Sequence, residues 1–111
     1  MTERPAKILL SFSGTLTLRR ADAVCASLCE ALGAGAPVEI DCSEADEVDA
    51  TFIQLLIAAR RSAAARGTPF RLSAPAGGAV LETLVRGGFF DPSREDATPE
   101  AAFWTGRDFP I

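Results

Sequence analysis

The stretch from Val38 to Leu56 constrains this chain more than any other. It opens as Val38-Glu-Ile-Asp-Cys, where apolar and acidic side chains alternate. It then crosses an acidic segment carrying Glu44, Asp46, Glu47 and Asp49, and resumes as Thr51-Phe-Ile-Gln-Leu-Leu. Alternation with period two marks a strand with one buried face, and apolar residues three and four apart mark a helix lying on a core. Phe52, Leu55, Leu56, Ala59 and Ala63 share one helical face, with Ile53 and Ile57 beside it. A helix is therefore predicted from about Thr51 to Ala65, closed by Arg66-Gly67, with Ser43 to Asp49 as the loop before it. This places a helix N-terminus beside the carboxyl end of a strand. Open α/β sheets keep their sites there, and unpaired backbone N–H groups favour negative charge.

The same alternation runs through the rest of the chain. Lys7 to Phe12 reads as a buried strand with a turn at Ser13-Gly14, and Thr15-Leu-Thr-Leu as a brief extended piece. Ala21, Val24, Cys25, Leu28, Ala31 and Leu32 fall at helical spacing, ended by Gly33 and Gly35. Thr68 to Ala74 is extended again, and a third helix starts at Pro75-Ala-Gly-Gly with Val80, Leu81, Leu84 and Val85 as its stripe. Gly87-Gly88 closes that helix. Strands alternating with helices predict an α/β fold with a mostly parallel sheet of four to five strands. The length of 111 residues suits a single domain over 1–111. Residues 92–111 read as a C-terminal extension that docks on it, because Phe103-Trp104 and Phe109-Pro110-Ile111 are too apolar for a free tail.

Composition removes several functions. A net charge of -4 argues against binding nucleic acid by phosphate neutralisation. No run of about 18 apolar residues is present, so membrane insertion is not expected, and the polar N-terminus lacks a signal segment. An odd set of three cysteines points to a reducing compartment, and the expected location is cytoplasmic. Cys25 and Cys29 lie four apart on the first predicted helix. The chain has no histidine, and only Cys42 could join them as a soft ligand, so all three read as small core residues rather than a metal site. No metal or cofactor is expected. No Gly-x-Gly-x-x-Gly or Walker-type lysine is present, and a His-based triad is impossible. An enzyme is therefore not expected, and a small nucleotide-binding protein is the weakest reading. A phosphoacceptor receiver domain fits only coarsely. Ser11-Phe-Ser-Gly stands where its acidic pair belongs, and Lys7 is the only lysine.

The ordered motifs resemble the STAS family, the sulfate-transporter and anti-sigma-factor-antagonist domain. Leu9-Leu-Ser-Phe-Ser-Gly-Thr-Leu-Thr-Leu is similar to that family's early strand and Gly-x-Leu. Val38-Glu-Ile-Asp-Cys-Ser through Val48-Asp-Ala-Thr-Phe-Ile-Gln-Leu-Leu is similar to its central strand, loop and Asp-Ser-[Ser/Thr]-Gly-Leu helix start. Arg66-Gly-Thr-Pro-Phe-Arg-Leu-Ser-Ala-Pro is similar to its next helix end and strand. The resemblance implies a mixed sheet with helices mainly on one face and a role in binding proteins. It implies as partner a GHKL-type kinase, an anti-sigma factor or a related signalling ATPase. The alternative is the role of accessory subunit to the ATPase of an ABC-type transporter. Homodimer formation stays open.

In the antagonists the kinase phosphorylates the serine after the Asp. By position, Asp49 matches that Asp, Ala50 takes the acceptor position, Thr51 follows, and Phe52 replaces the usual Gly. Alanine has no hydroxyl, so either Thr51 is the acceptor or the domain binds without that control. Thr51 also reads as the cap or a first-turn residue of the helix, with Asp49 the alternative cap. The expected partner-binding residues are Asp49, Ala50, Thr51, Ile53, Gln54 and Ile57. Ile53 and Ile57 read either as core or, because the apolar arc is wider than a sheet needs, as an exposed apolar edge, and they enter the set on the second reading.

Overall fold

The computed structural model describes residues 7–91, 93 and 98–106. Phe109-Pro110-Ile111 and part of the proposed extension lie outside them. Strand β1 is Ile8–Ser11, β2 is Gly14–Leu16, β3 is Val38–Asp41, β4 is Ala45–Val48 and β5 is Phe70–Leu72. The helices are α1 (Ala21–Gly33), α2 (Ala50–Ala65), α3 (Gly78–Arg86) and α4 (Pro99–Trp104), and a 3-10 turn at Leu18–Arg20 leads into α1.

The α/β alternation holds, and every pairing is parallel. The five strands form two sheets, one ordered β1-β3-β5 and the other β2-β4, where one sheet of four to five had been expected. In the first sheet Val38 and Ile40 stand opposite Phe70 and Leu72, and all four are buried. Alternate positions face the other way. There Glu39 pairs with Lys7 at 2.8 Å and with Arg71 at 3.3 Å, and Leu9 is 56% exposed. The Lys7 hydrogen bond is the main reason the Glu39 carboxyl sits below its ordinary value. The helices thus cover one face of this sheet and leave a polar one to water.

The acidic segment is not the plain loop that its composition predicts, because Ala45–Val48 pairs with β2. Asp and Glu are poor strand formers, yet Ala45 and Val48 are half-buried while Asp46 and Glu47 point to water. Backbone pairing with an already extended β2 outweighs side-chain preference. The register shifts between Gly14 and Thr15, and Gly14 has a φ of +73°, a conformation that other residues rarely adopt.

Helix α2 is the centre of the molecule. It contacts α1, α3 and β5. Phe52, Ile53, Leu56, Ala59 and Ala63 are buried, with Ile53 at 0% exposure. The expectation of Ile53 as an exposed edge is therefore corrected. The wide apolar arc meets helices on its flanks as well as the sheet, so it leaves no free margin at that position. Ile57 and Leu55 are half-buried. On α1 the buried stripe is Val24, Leu28, Ala31 and Leu32, whereas Cys25 and Cys29 are exposed, against the expectation of core residues. Each cysteine follows a stripe residue and so lies about 100° further round the helix. Cys42 is buried as expected.

Beyond α3, Phe103 and Trp104 of α4 are 1% and 2% exposed. Phe103 stacks on Phe70 at 5.7 Å and meets Trp104 edge-on at 4.8 Å. Glu100 reaches α2, bonding Arg61 at 2.6 Å with Arg60 at 3.6 Å.

Candidate functional site

The start of α2 is organised by one carboxylate. Asp49 is the N-cap: its Oδ1 accepts the amides of Thr51 at 3.0 Å and Phe52 at 3.3 Å. Its Oδ2 accepts the amide of Leu18 at 2.9 Å. Asp49 therefore closes the helix and pins the 3-10 turn against it. The backbone assists, since the Asp49 amide donates to the Leu16 carbonyl at 3.3 Å. Arg20 holds the turn from its other side, donating to the carbonyls of Ser13 at 2.8 Å and Thr15 at 3.3 Å. From α3, the Thr83 hydroxyl donates to the Val48 carbonyl at 2.9 Å, which ties β4 to the helix behind it.

Capping thus falls to Asp49, the alternative in the sequence reading, and Thr51 occupies the first turn. Asp prefers the N-cap strongly, and its short side chain reaches back to two amides. Thr51 is half-buried, and its hydroxyl has no hydrogen-bond partner among the described residues. Ala50 and Gln54 are exposed. Ala50, Thr51, Gln54 and Ile57 follow helical spacing and lie on one stripe, which Ile53 leaves for the core.

Sequence reasoning missed Leu18. Thr15-Leu-Thr-Leu reads as one brief extended piece that includes it. Leu16 is 0% exposed and Leu18 is 68% exposed, because the strand stops at Leu16 and a turn begins. The preference of Arg19-Arg20 for water was the only local signal of that break.

Around this surface Glu44, Asp46 and Glu47 are exposed. Asp41, at the end of β3, accepts the Ser43 hydroxyl at 2.7 Å and amide at 3.0 Å, and the hydroxyl bond leads in lowering its pKa. A cavity of about 220 Å³ opens at the carboxyl ends of β3 and β5, lined by residues that include Asp41, Cys42, Ser43, Ser73 and Gly77. Burial pushes the Cys42 thiol up to about 11, so it stays protonated near neutrality and is no nucleophile. Among the described residues no group of three or more His, Cys, Asp or Glu could hold a metal ion. Nor is any helix among them long and apolar enough to cross a membrane.

Two parallel sheets backed by helices, with a carboxylate-capped helix start at one end, define a small α/β module. The sequence model of the family described as "Mlab, STAS domain" matches residues 1–91, and the chain belongs to the STAS family. No curated protein matches the chain. Helix α4 lies beyond the matched residues.

Proposed function

We propose that the chain is a cytoplasmic, non-catalytic regulatory module that docks a partner protein through the N-terminal face of α2. The docking residues are Leu18, Ala50, Thr51, Gln54 and Ile57, with Asp49 beneath them as a clamp. The observation that carries this reading is the double use of Asp49. One carboxylate caps α2 and fixes the backbone of Leu18, so an exposed apolar residue is held near the helix start, where Ala50 and Thr51 stand at the first two positions. A fixed apolar group next to an uncrowded helix start offers a ready anchor for a partner. The exposed Glu44, Asp46 and Glu47 favour a partner with a basic rim.

The partner is a nucleotide-hydrolysing protein, either a GHKL-type kinase or anti-sigma factor, or the ATPase of an ABC-type transporter. Ala50 favours the second. Without a hydroxyl there, the serine switch of the antagonists has no acceptor, and a constitutive complex is what an accessory subunit makes. Thr51 keeps phosphorylation available to the first reading. Its hydroxyl is uncommitted among the described residues, and a phosphate at a helix N-terminus gains from the same backbone N–H groups.

The test is affinity capture from the native host with wild-type, Thr51→Asp and Leu18→Glu baits, followed by identification and titration of the purified partner. An ATPase held by wild type and lost from both variants supports the surface, and its own sequence separates kinase from transporter subunit. A partner held equally by all three baits places the interface elsewhere.

A further inference from the structure

The first sheet ends on two strands whose outer sides differ. In register, the row across its polar face reads Leu9, Glu39 and Arg71. The β5 edge carries the charged Arg71 at its centre, and Phe103 of α4 stacks on its Phe70. In the second sheet β4 turns Asp46 and Glu47 to solvent, and β2 shifts register after Gly14. Charge, a covering helix and a bulge are common devices that keep a strand edge from pairing. Strand β1 has none of them. Ile8-Leu-Leu runs without a charge, Leu9 is 56% exposed, and Ile8 and Leu10 are only half-buried against the core. Lys7, just ahead of the strand, is drawn across to Glu39 at 2.8 Å.

The backbone of β1 also has groups to offer. The Ile8 amide donates to the Pro37 carbonyl and the Phe12 amide to the Asp41 carbonyl, both at 2.8 Å. Peptide groups alternate in direction along a strand, so the N–H and C=O groups of Leu9 and Ser11 point away from β3. Among the described residues β1 pairs with no other strand. We propose that this edge joins a second copy of the chain, β1 to β1 and antiparallel, about a two-fold axis at Leu9. Each Leu9 amide then donates to the Leu9 carbonyl of the other copy, and Ser11 pairs with Lys7. The register is self-complementary, which is why the occupant is a second copy. It sets Leu9 against Leu9 on the polar face and Ile8 against Leu10 on the core side, so apolar side chains meet apolar ones. It also sets Lys7 against Ser11, whose neighbour on β3 is Asp41, so a cation of each copy faces a row that holds a carboxylate of the other. A parallel dimer needs its axis along the strands, which puts the helix-covered face of one copy beside the polar face of the other. The antiparallel product is one sheet in the order β5-β3-β1-β1-β3-β5, and it uses none of the docking residues at α2.

The experiment is sedimentation velocity of the full chain over a wide concentration range, for wild type, Leu9→Pro and Leu9→Lys, with amide hydrogen exchange of the wild type read by NMR at both ends of that range. Leu9→Pro removes only an amide that points away from β3, a placement that an edge strand accepts. Leu9→Lys sets like charges opposite each other across the axis. Far-ultraviolet circular dichroism verifies folding, and either folded variant suffices for the test. Wild type is expected to pass from monomer to dimer as concentration rises, and each variant weakens the dimer at least about 30-fold. Exchange at Leu9 and Ser11 slows as the dimer forms, whereas Ile8 and Phe12, bonded to carbonyls of their own chain, are protected throughout. Three results overturn the interface. The first is a wild type that stays monomeric across the range. The second is a dimer as strong in a folded variant as in wild type, which places the contact on another face. The third is a dimer in which exchange at Leu9 and Ser11 is unchanged.

Discussion

The two halves of α2 are finished in opposite ways. Its N-terminal turn rests on a single carboxylate and presents Ala50, Thr51 and Gln54 to solvent, with Leu18 beside them. Its C-terminal half is bound to α4, whose Glu100 joins Arg60 and Arg61 and whose Phe103 and Trp104 enter the core. One region is stabilised by burial over many atoms. The other is held in shape by a few hydrogen bonds while its side chains stay free for contact. On the proposed function, stability and recognition fall to different parts of one helix.

The largest expected effect tests the burial side. Phe103→Ala removes an aromatic ring packed between Phe70 and Trp104 and should cost about 3–5 kcal/mol in urea unfolding, with partner affinity unchanged once the protein is folded. A loss under about 1 kcal/mol would show that α4 is only loosely seated. Asp49→Ala addresses the other end. It deletes the cap and the Leu18 tether, and should lower stability by about 1–2 kcal/mol while weakening the partner complex. If affinity survives that change, the clamp is structural alone.

Glu100→Gln gives a smaller effect with a defined pH signature. Hydrogen bonding to Arg61, then its charge and that of Arg60, hold the Glu100 carboxyl below its ordinary value of 4.5. A depressed carboxylate contributes stability that is fully present above 4.5 and is lost as pH falls through the folded value. The pair is well exposed, so its contribution is at most about 1 kcal/mol at neutral pH. The wild-type advantage over Glu100→Gln should therefore shrink below pH 4.5 in acid titrations followed by Trp104 fluorescence. Thr51→Ala comes last, within about 0.5 kcal/mol of wild type in stability, since its hydroxyl bonds nothing among the described residues. A larger loss would make it a structural residue rather than a contact.

The sequence made the order of elements legible because period and punctuation agreed. The Val38–Asp41 strand, the α2 helix and the glycine stops at Gly33, Gly67 and Gly87 are local facts. The misreadings lie where a distant partner decides. Ala45–Val48 is a strand because β2 extends beside it, and its own acidic residues oppose that assignment. Ile53 is buried because helices flank α2, which no helical wheel reveals. Cys25 and Cys29 share the apolar class of the α1 stripe but not its angle. Leu18 needed the end point of β2, which rests on a turn held by Asp49, thirty-one residues away. At the site, the sequence identified Asp49, Ala50 and Thr51 as the start of α2. It divided the capping role between Asp49 and Thr51, because the choice depends on where the first helical turn begins.

Every strand pairing among the described residues is parallel, and this has a kinetic consequence. Ile8 and Val38 are 30 residues apart, and Leu16 and Val48 are separated by 32, as are Val38 and Phe70. No hairpin is available as a local nucleus, so each ladder waits for a crossover to close. Helical segments form early and must collide before any sheet exists. Such a topology is expected to fold slowly for its length and to leave strand edges unpaired until the crossovers close, which is when aggregation competes with folding.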